Sequence, residues 1–151
     1  MIQAKGNGRI RALLAALMTT CLLWTAASTA QTGAGETDLP GTAWLAEDID
    51  GRGVVDRARS TMEFIKPDQV GGLAACNRYF GPVSIGGGRI SFGNLAATRM
   101  MCPDALMDQE QRFLDALSRA KRLEITHEGL VLLVYADGAN PVLKFSRIVK
   151  N

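Results

Sequence analysis

Helical periodicity appears clearly only once in this chain, between Pro103 and about Lys121. Almost everything after Pro40 is instead cut into short segments with strand-like alternation. That distribution sets the fold class. Strands that alternate with helices build parallel doubly wound sheets, whereas runs of short strands with one helix build an α+β domain. The segments are Thr42–Ala46, Thr61–Ile65, Gln69–Ala74, Pro82–Ile85, Arg89–Phe92, Leu123–Ile125, Leu130–Tyr135 and Pro141–Ile148. Turns at Asp50–Gly53, Gly86–Gly88 and Asp137–Asn140 separate several of them. Gly71 and Gly72 would allow a bulge or sharp bend in the third. The expected architecture is a curled, mainly antiparallel sheet of about eight short strands, a partly open barrel, with one amphipathic helix packed on it.

In the helix, Pro103 fits the first helical position, where its missing N–H costs nothing. Leu106, Phe113, Leu117 and Ala120 fall in one stripe, flanked by Met107 and Leu114. Glu110 falls inside that stripe. A carboxylate there is costly unless it is paired or hydrogen-bonded. The expectation is an ion pair with Arg78 or Arg99, or a bond to backbone.

The first thirty residues read differently. Lys5, Arg9 and Arg11 precede an uncharged, mostly apolar run of about 16 residues, Ala12–Ala27. Small residues follow at Ser28 and Ala30. Basic, apolar, small is the order of a secretory signal, so residues 1–30 are expected to be removed on export. A permanent anchor fits less well, because a stable span needs roughly 20 apolar residues. A lipoprotein cleavage before Cys21 also fits less well. Thr20 is bulky for that place, and the apolar run continues through Trp24. Residues 31–40 are polar and small and form a flexible lead-in to a domain at 41–149.

Removal of the signal changes two properties. Three of the 17 basic residues go, leaving 14 against 15 acidic ones, a charge of about −1. Such a domain lacks the basic face that nucleic acid requires. Two cysteines also remain, Cys76 and Cys102, an even number in an oxidising compartment. A bridge closing their loop of about 25 residues would contribute roughly 3–4 kcal/mol at most. The alternatives are a reactive thiol or a metal ligand. Neither cysteine lies in a C-x-x-C pair, and a zinc site would find only one histidine, His127.

The residues around these cysteines resemble a known family. Cys76-Asn77-Arg78-Tyr79-Phe80-Gly81 resembles the G-C-N-x-Y-x-G signature of the META (HslJ-like) domain, and Trp44 stands near its opening tryptophan. Thr98-Arg99-Met100-Met101-Cys102 resembles the T-R/K-M-A-C motif, and Glu110 and Phe113 its E-x-x-F/Y helix. Leu130–Leu132 and Leu143–Phe145 resemble its closing strands. The resemblance covers about residues 40–148. Ala75 stands where the family commonly has glycine, which suggests a backbone without positive φ there. Met101 replaces a small residue.

The resemblance implies a compact α+β fold in a bacterial envelope or secreted setting. It also implies association with heat-shock response and antibiotic resistance, with motility in a eukaryotic member, and similarity to pilot proteins of secretins. It carries no catalytic residue, metal or cofactor. The residues add none. His127 sits in a turn, no nucleophile motif is present, and Gly86–Gly88 lacks the lysine of a phosphate loop. Two functions follow as expectations. One is a non-enzymatic, monomeric envelope protein acting through a protein partner. The other is a lipid or small-molecule carrier lined by Phe64, Ile90, Phe92 and Leu132. A filled core with an exposed apolar patch would favour the first, and a large apolar cavity the second.

Overall fold

A computed structural model describes residues 39–149. The export signal, Cys21 and most of the lead-in lie outside the described residues. Nine strands and one helix follow in order. They are β1 (Ala43–Ile49), β2 (Thr61–Lys66), β3 (Gln69–Leu73), β4 (Arg78–Gly86), β5 (Arg89–Phe92), β6 (Ala96–Ala97), α1 (Asp104–Ser118), β7 (Arg122–Thr126), β8 (Val131–Tyr135) and β9 (Pro141–Ile148).

The strands are antiparallel neighbours in the order β3-β2-β1-β9-β8-β7-β5-β4-β6, and β3 also pairs with β4. That extra pairing closes eight strands into a barrel-like ring, so the curled sheet is complete where the sequence suggested a partly open one. β6 is a two-residue ninth strand, held on β4 through Tyr79↔Ala97 and Phe80↔Ala96. Closure removes the sheet edges that would otherwise present unpaired N–H and C=O groups.

Alternation puts one face of each strand inside. In β4, Tyr79, Gly81 and Val83 are buried while Arg78, Phe80, Pro82 and Ser84 are exposed. This strand begins four residues earlier than the apolar run alone indicates, because the signature residues are themselves in β geometry. Trp44, Met62, Phe64, Tyr79, Leu132, Leu143 and Phe145 fill the centre. Phe64, Ile90 and Leu132 pack within that core, and Phe92 packs against its edge.

Glycine has a specific task at two places in the sheet. Gly87 and Gly88 take φ of 61° and 74° between the paired residues Gly86 and Arg89. This is the two-residue hairpin that positive φ at both positions makes compatible with strand twist. A Cβ at Gly72 would sit 2.2 Å from the Thr61 carbonyl oxygen, so close strand approach requires glycine. The bulge in this region falls on the partner strand instead, where the register shifts between Phe64 and Lys66.

α1 contacts β1, β9 and β5. β1 and β9 are neighbours, but β5 lies three strands further round the ring. A helix reaching both must cross a mouth of the barrel. Phe113 points into that mouth, edge-on to Tyr79 at 5.7 Å and to Phe145 at 6.2 Å between ring centres. Burial of a side chain this large contributes about 1.5–3 kcal/mol.

The helix begins one residue later than expected. Pro103 is the N-cap, with ψ 147°, and its carbonyl accepts from the amides of Leu106 and Met107. The helix also ends earlier, with Arg119 as C-cap, so Ala120 is buried from the following turn.

Candidate functional site

The signature residues converge where α1 meets the β3–β4 connection. Cys76 and Cys102 form a disulfide with a Cα–Cα distance of 6.1 Å. The bridge ties the start of β4 to the segment leading into α1. Next to it, Asn77 uses every polar atom it has. Its backbone N–H donates to Glu110 Oε2 at 2.6 Å, and Nδ2 donates to Glu110 Oε1 at 3.0 Å. Nδ2 also donates to the Met100 carbonyl at 3.2 Å. Oδ1 accepts from Thr98 Oγ1 at 2.8 Å and from the Met100 N–H at 2.6 Å. Thr98 Oγ1 in turn accepts from the Arg78 N–H at 3.1 Å.

Glu110 is thus held by the amide groups of one asparagine. Of the two expected arrangements, the bond to backbone forms, through the Asn77 N–H, and the ion pair with Arg78 or Arg99 does not. Both arginines are exposed, and the salt bridges among the described residues are Arg112–Asp108, Arg119–Asp50 and Lys121–Asp137. The physical reason is distance from water. The carboxylate faces the buried Asn77 backbone, and charge-assisted bonds to amides satisfy it there without desolvating a guanidinium.

Ala75 overturns another expectation. Its φ is 78°, in the left-handed region. The chain must reverse there, with Ala74 N–H bonding to the Asn77 carbonyl and Ala75 N–H to the Arg59 carbonyl. A non-glycine residue in this conformation carries a penalty of roughly 1–2 kcal/mol, which the bridge and the Asn77 bonds override.

The other motif residues are equally occupied. Trp44 Nε1 donates to Thr42 Oγ1 at 2.8 Å. The Tyr79 hydroxyl donates to the Thr61 carbonyl at 3.0 Å. Burial, and to a smaller degree the charge of Glu63, push its phenol far above the ordinary tyrosine range. A Cβ on Gly81 would lie 2.8 Å from Leu95 Cδ2 and 2.9 Å from the Asn94 carbonyl, so glycine lets the strap after β5 cross the strand. His127 is exposed in a single 3₁₀ turn, His127–Gly129. Among the described residues no group of three His, Cys, Asp or Glu side chains is placed to hold a metal. No described helix is long and apolar enough to cross a membrane.

One member of this cluster escapes a reading by motif. Gln109 is fully buried beside Glu110, its Oε1 accepting from the Val55 N–H at 2.6 Å and its Nε2 donating to Ser60 Oγ at 3.1 Å. It pins the β1–β2 loop as Glu110 pins the β3–β4 connection. Its spacing from Phe113 and Ala116, four and seven residues, is the available signal.

The fold and this cluster define a class: a small antiparallel barrel, capped across one mouth by a helix that carries two buried amide-binding side chains. Residues 37–147 match the family model of the META domain, and the chain belongs to that family. A protein from Burkholderia xenovorans solved by NMR is similar, with 26% identity, a TM-score of 0.64, and coverage of 76% of this chain and 87% of that one. A second NMR structure shares the fold at 22% identity and a TM-score of 0.59, covering 74% of this chain and 93% of that one. Comparison with curated proteins gives no match.

Proposed function

We propose that this META-domain chain is an exported, non-enzymatic envelope protein that contributes to stress tolerance by binding a protein partner. The observation that carries the reading is the outer face of β4 beside the Cys76–Cys102 bridge. Phe80 and Ile65 are 58% and 52% exposed, and Met100 and Met101, more than half exposed, lie on the segment that the Cys76–Cys102 bridge ties to the start of β4. The nearest atoms to a Cβ built at Gly71 include Ile65 Cδ1 and Phe80 Cβ, so Ile65 and Phe80 form one apolar surface across β2, β3 and β4. Apolar area of this kind on a small domain is characteristic of protein contacts. Arg78 and Arg99 are exposed and make no salt bridge among the described residues, which fits a partner segment that presents an apolar side chain and a carboxylate.

The packed centre supports this reading over a carrier. Of the four residues that would line a carrier cavity, Phe64, Ile90 and Leu132 belong to the buried core and Phe92 packs against it. The disulfide is compatible with an oxidising envelope compartment. Stress tolerance is the association that the family resemblance suggests.

Native mass spectrometry of the protein recovered from the envelope tests the reading. A stoichiometric protein complex is expected for the wild type and not for Phe80→Asp, which alters only an exposed side chain. The same variant should fail to restore heat or antibiotic tolerance to a deletion strain. A bound lipid mass with no protein partner would instead establish the carrier.

A further inference from the structure

A second surface, on the strands that follow β4 round the ring, is organised around two arginines. β5 and β7 are joined through one register pair, Arg89↔Arg122. The bonds on either side run from the Ile90 N–H to the Lys121 carbonyl at 3.1 Å and from the Leu123 N–H to the Gly88 carbonyl at 3.0 Å. Arg89 and Arg122 therefore form a non-hydrogen-bonded pair, the closely spaced kind in which side chains approach most nearly. Both are exposed. Like charges in this position repel.

The neighbours leave the repulsion in place. Across from Arg89 on its other side is Gly86, which has no side chain. Arg122 lies over the Tyr135 ring, 3.9 Å from its centre. The nearby acids are engaged elsewhere. Asp137 holds Lys121 Nζ, and Glu124 Oε2 accepts from the Tyr135 hydroxyl. Among the described residues Arg89 makes no salt bridge.

An open cleft of about 500 Å³ adjoins it, lined by Ser84, Gly86, Arg89, Ser91 and Lys121. Ser84 and Ser91 are themselves a cross-strand pair. A second cleft of about 520 Å³ shares Arg89 and Lys121 with the first and adds Arg122, with the carboxylates Glu124 and Asp137 also in its wall. Arg89 is thus the cation common to both clefts that the described acids leave without a partner, while Lys121 beside it is held by Asp137.

We infer that this seam is a binding site for a phosphoryl group, a phosphomonoester or inorganic phosphate, held between Arg89 and Arg122 with Lys121 and the Ser84 and Ser91 hydroxyls at its edge. The planar guanidinium fork matches phosphate oxygens two at a time, and a dianion between two arginines turns their repulsion into attraction. The group could reach the seam as a free ester or as the headgroup of a lipid, and the chemistry is the same.

Amide NMR of the purified protein tests this. Inorganic phosphate, titrated at constant ionic strength against chloride, should shift the amides of residues 86–90 and 121–123 saturably, and chloride should not. Arg89→Gln should weaken phosphate affinity at least tenfold while leaving the remaining amides in place. If that variant does not fold, Lys121→Gln should weaken it several-fold. Equal shifts with chloride, or unchanged affinity in the folded variant, would overturn the site. Sedimentation with vesicles then separates the sources. Binding to phosphatidylcholine vesicles containing phosphatidate, and not to phosphatidylcholine alone, assigns a lipid headgroup. Phosphate binding without sedimentation assigns a soluble ester.

Discussion

The β3–β4 seam and the β5–β7 seam both complete the ring, yet they are built in opposite ways. At β3–β4, five residue pairs run from Gln69↔Pro82 to Leu73↔Arg78. The strand ends are then tied to α1 through Cys76–Cys102 and the Asn77–Glu110 bonds. At β5–β7 there is one pair, and it sets two cations side by side. The first seam spends buried, fully paired polar groups on rigidity. The second leaves exposed, unbalanced ones. Buried polar networks that are completely satisfied specify a single arrangement, and exposed charges of one sign at a weak joint do not. The difference separates the part of the domain that fixes its shape from the part free to meet a ligand.

Removal of the bridge should break the contrast most. Replacing Cys76 and Cys102 together by serine is expected to cost up to about 3–4 kcal/mol, from the loop entropy returned to the unfolded chain. Urea denaturation checks this. A loss under about 1 kcal/mol would show that the polar bonds alone hold the seam. Glu110→Gln comes next, at about 1–3 kcal/mol, because the new amide presents N–H groups to the Asn77 donors and loses a charge-assisted bond. A loss within about 0.5 kcal/mol, the range of ordinary surface changes, would make the carboxylate incidental. The smallest effect has the opposite sign. Arg89→Gln in phosphate-free buffer should stabilise the domain by a few tenths of a kcal/mol up to about 1, since it removes a like-charge cross-strand pair. A destabilised variant would mean that the arginine packs usefully at the seam.

Much of the first seam was legible in the residue order, and almost none of the second. Cys76 and Cys102 could be paired from their number and setting, and Glu110 was conspicuous as a charge inside an apolar stripe. Its true partner was not, because an asparagine backbone N–H carries no mark in a sequence, whereas Arg78 and Arg99 do. The glycine commonly found where Ala75 stands was the better guide to the backbone than the alanine present. Arg89 and Arg122 lie 33 positions apart, on strands whose pairing depends on how the ring closes. No periodicity or motif brings them together. Gln109 was hidden for a related reason, since its importance depends on the Val55 N–H of a loop that has no pattern of its own.

The position of β9 has one more consequence. It lies between β1 and β8, and its register with β1 joins Ala43 to Ile148, almost the whole length of the domain. Until those last residues arrive, β1 and β8 both have a bare edge, and neither ring nor mouth exists for α1 to cover. Folding dominated by such distant contacts is slow. The ring therefore closes only after synthesis has delivered its final strand.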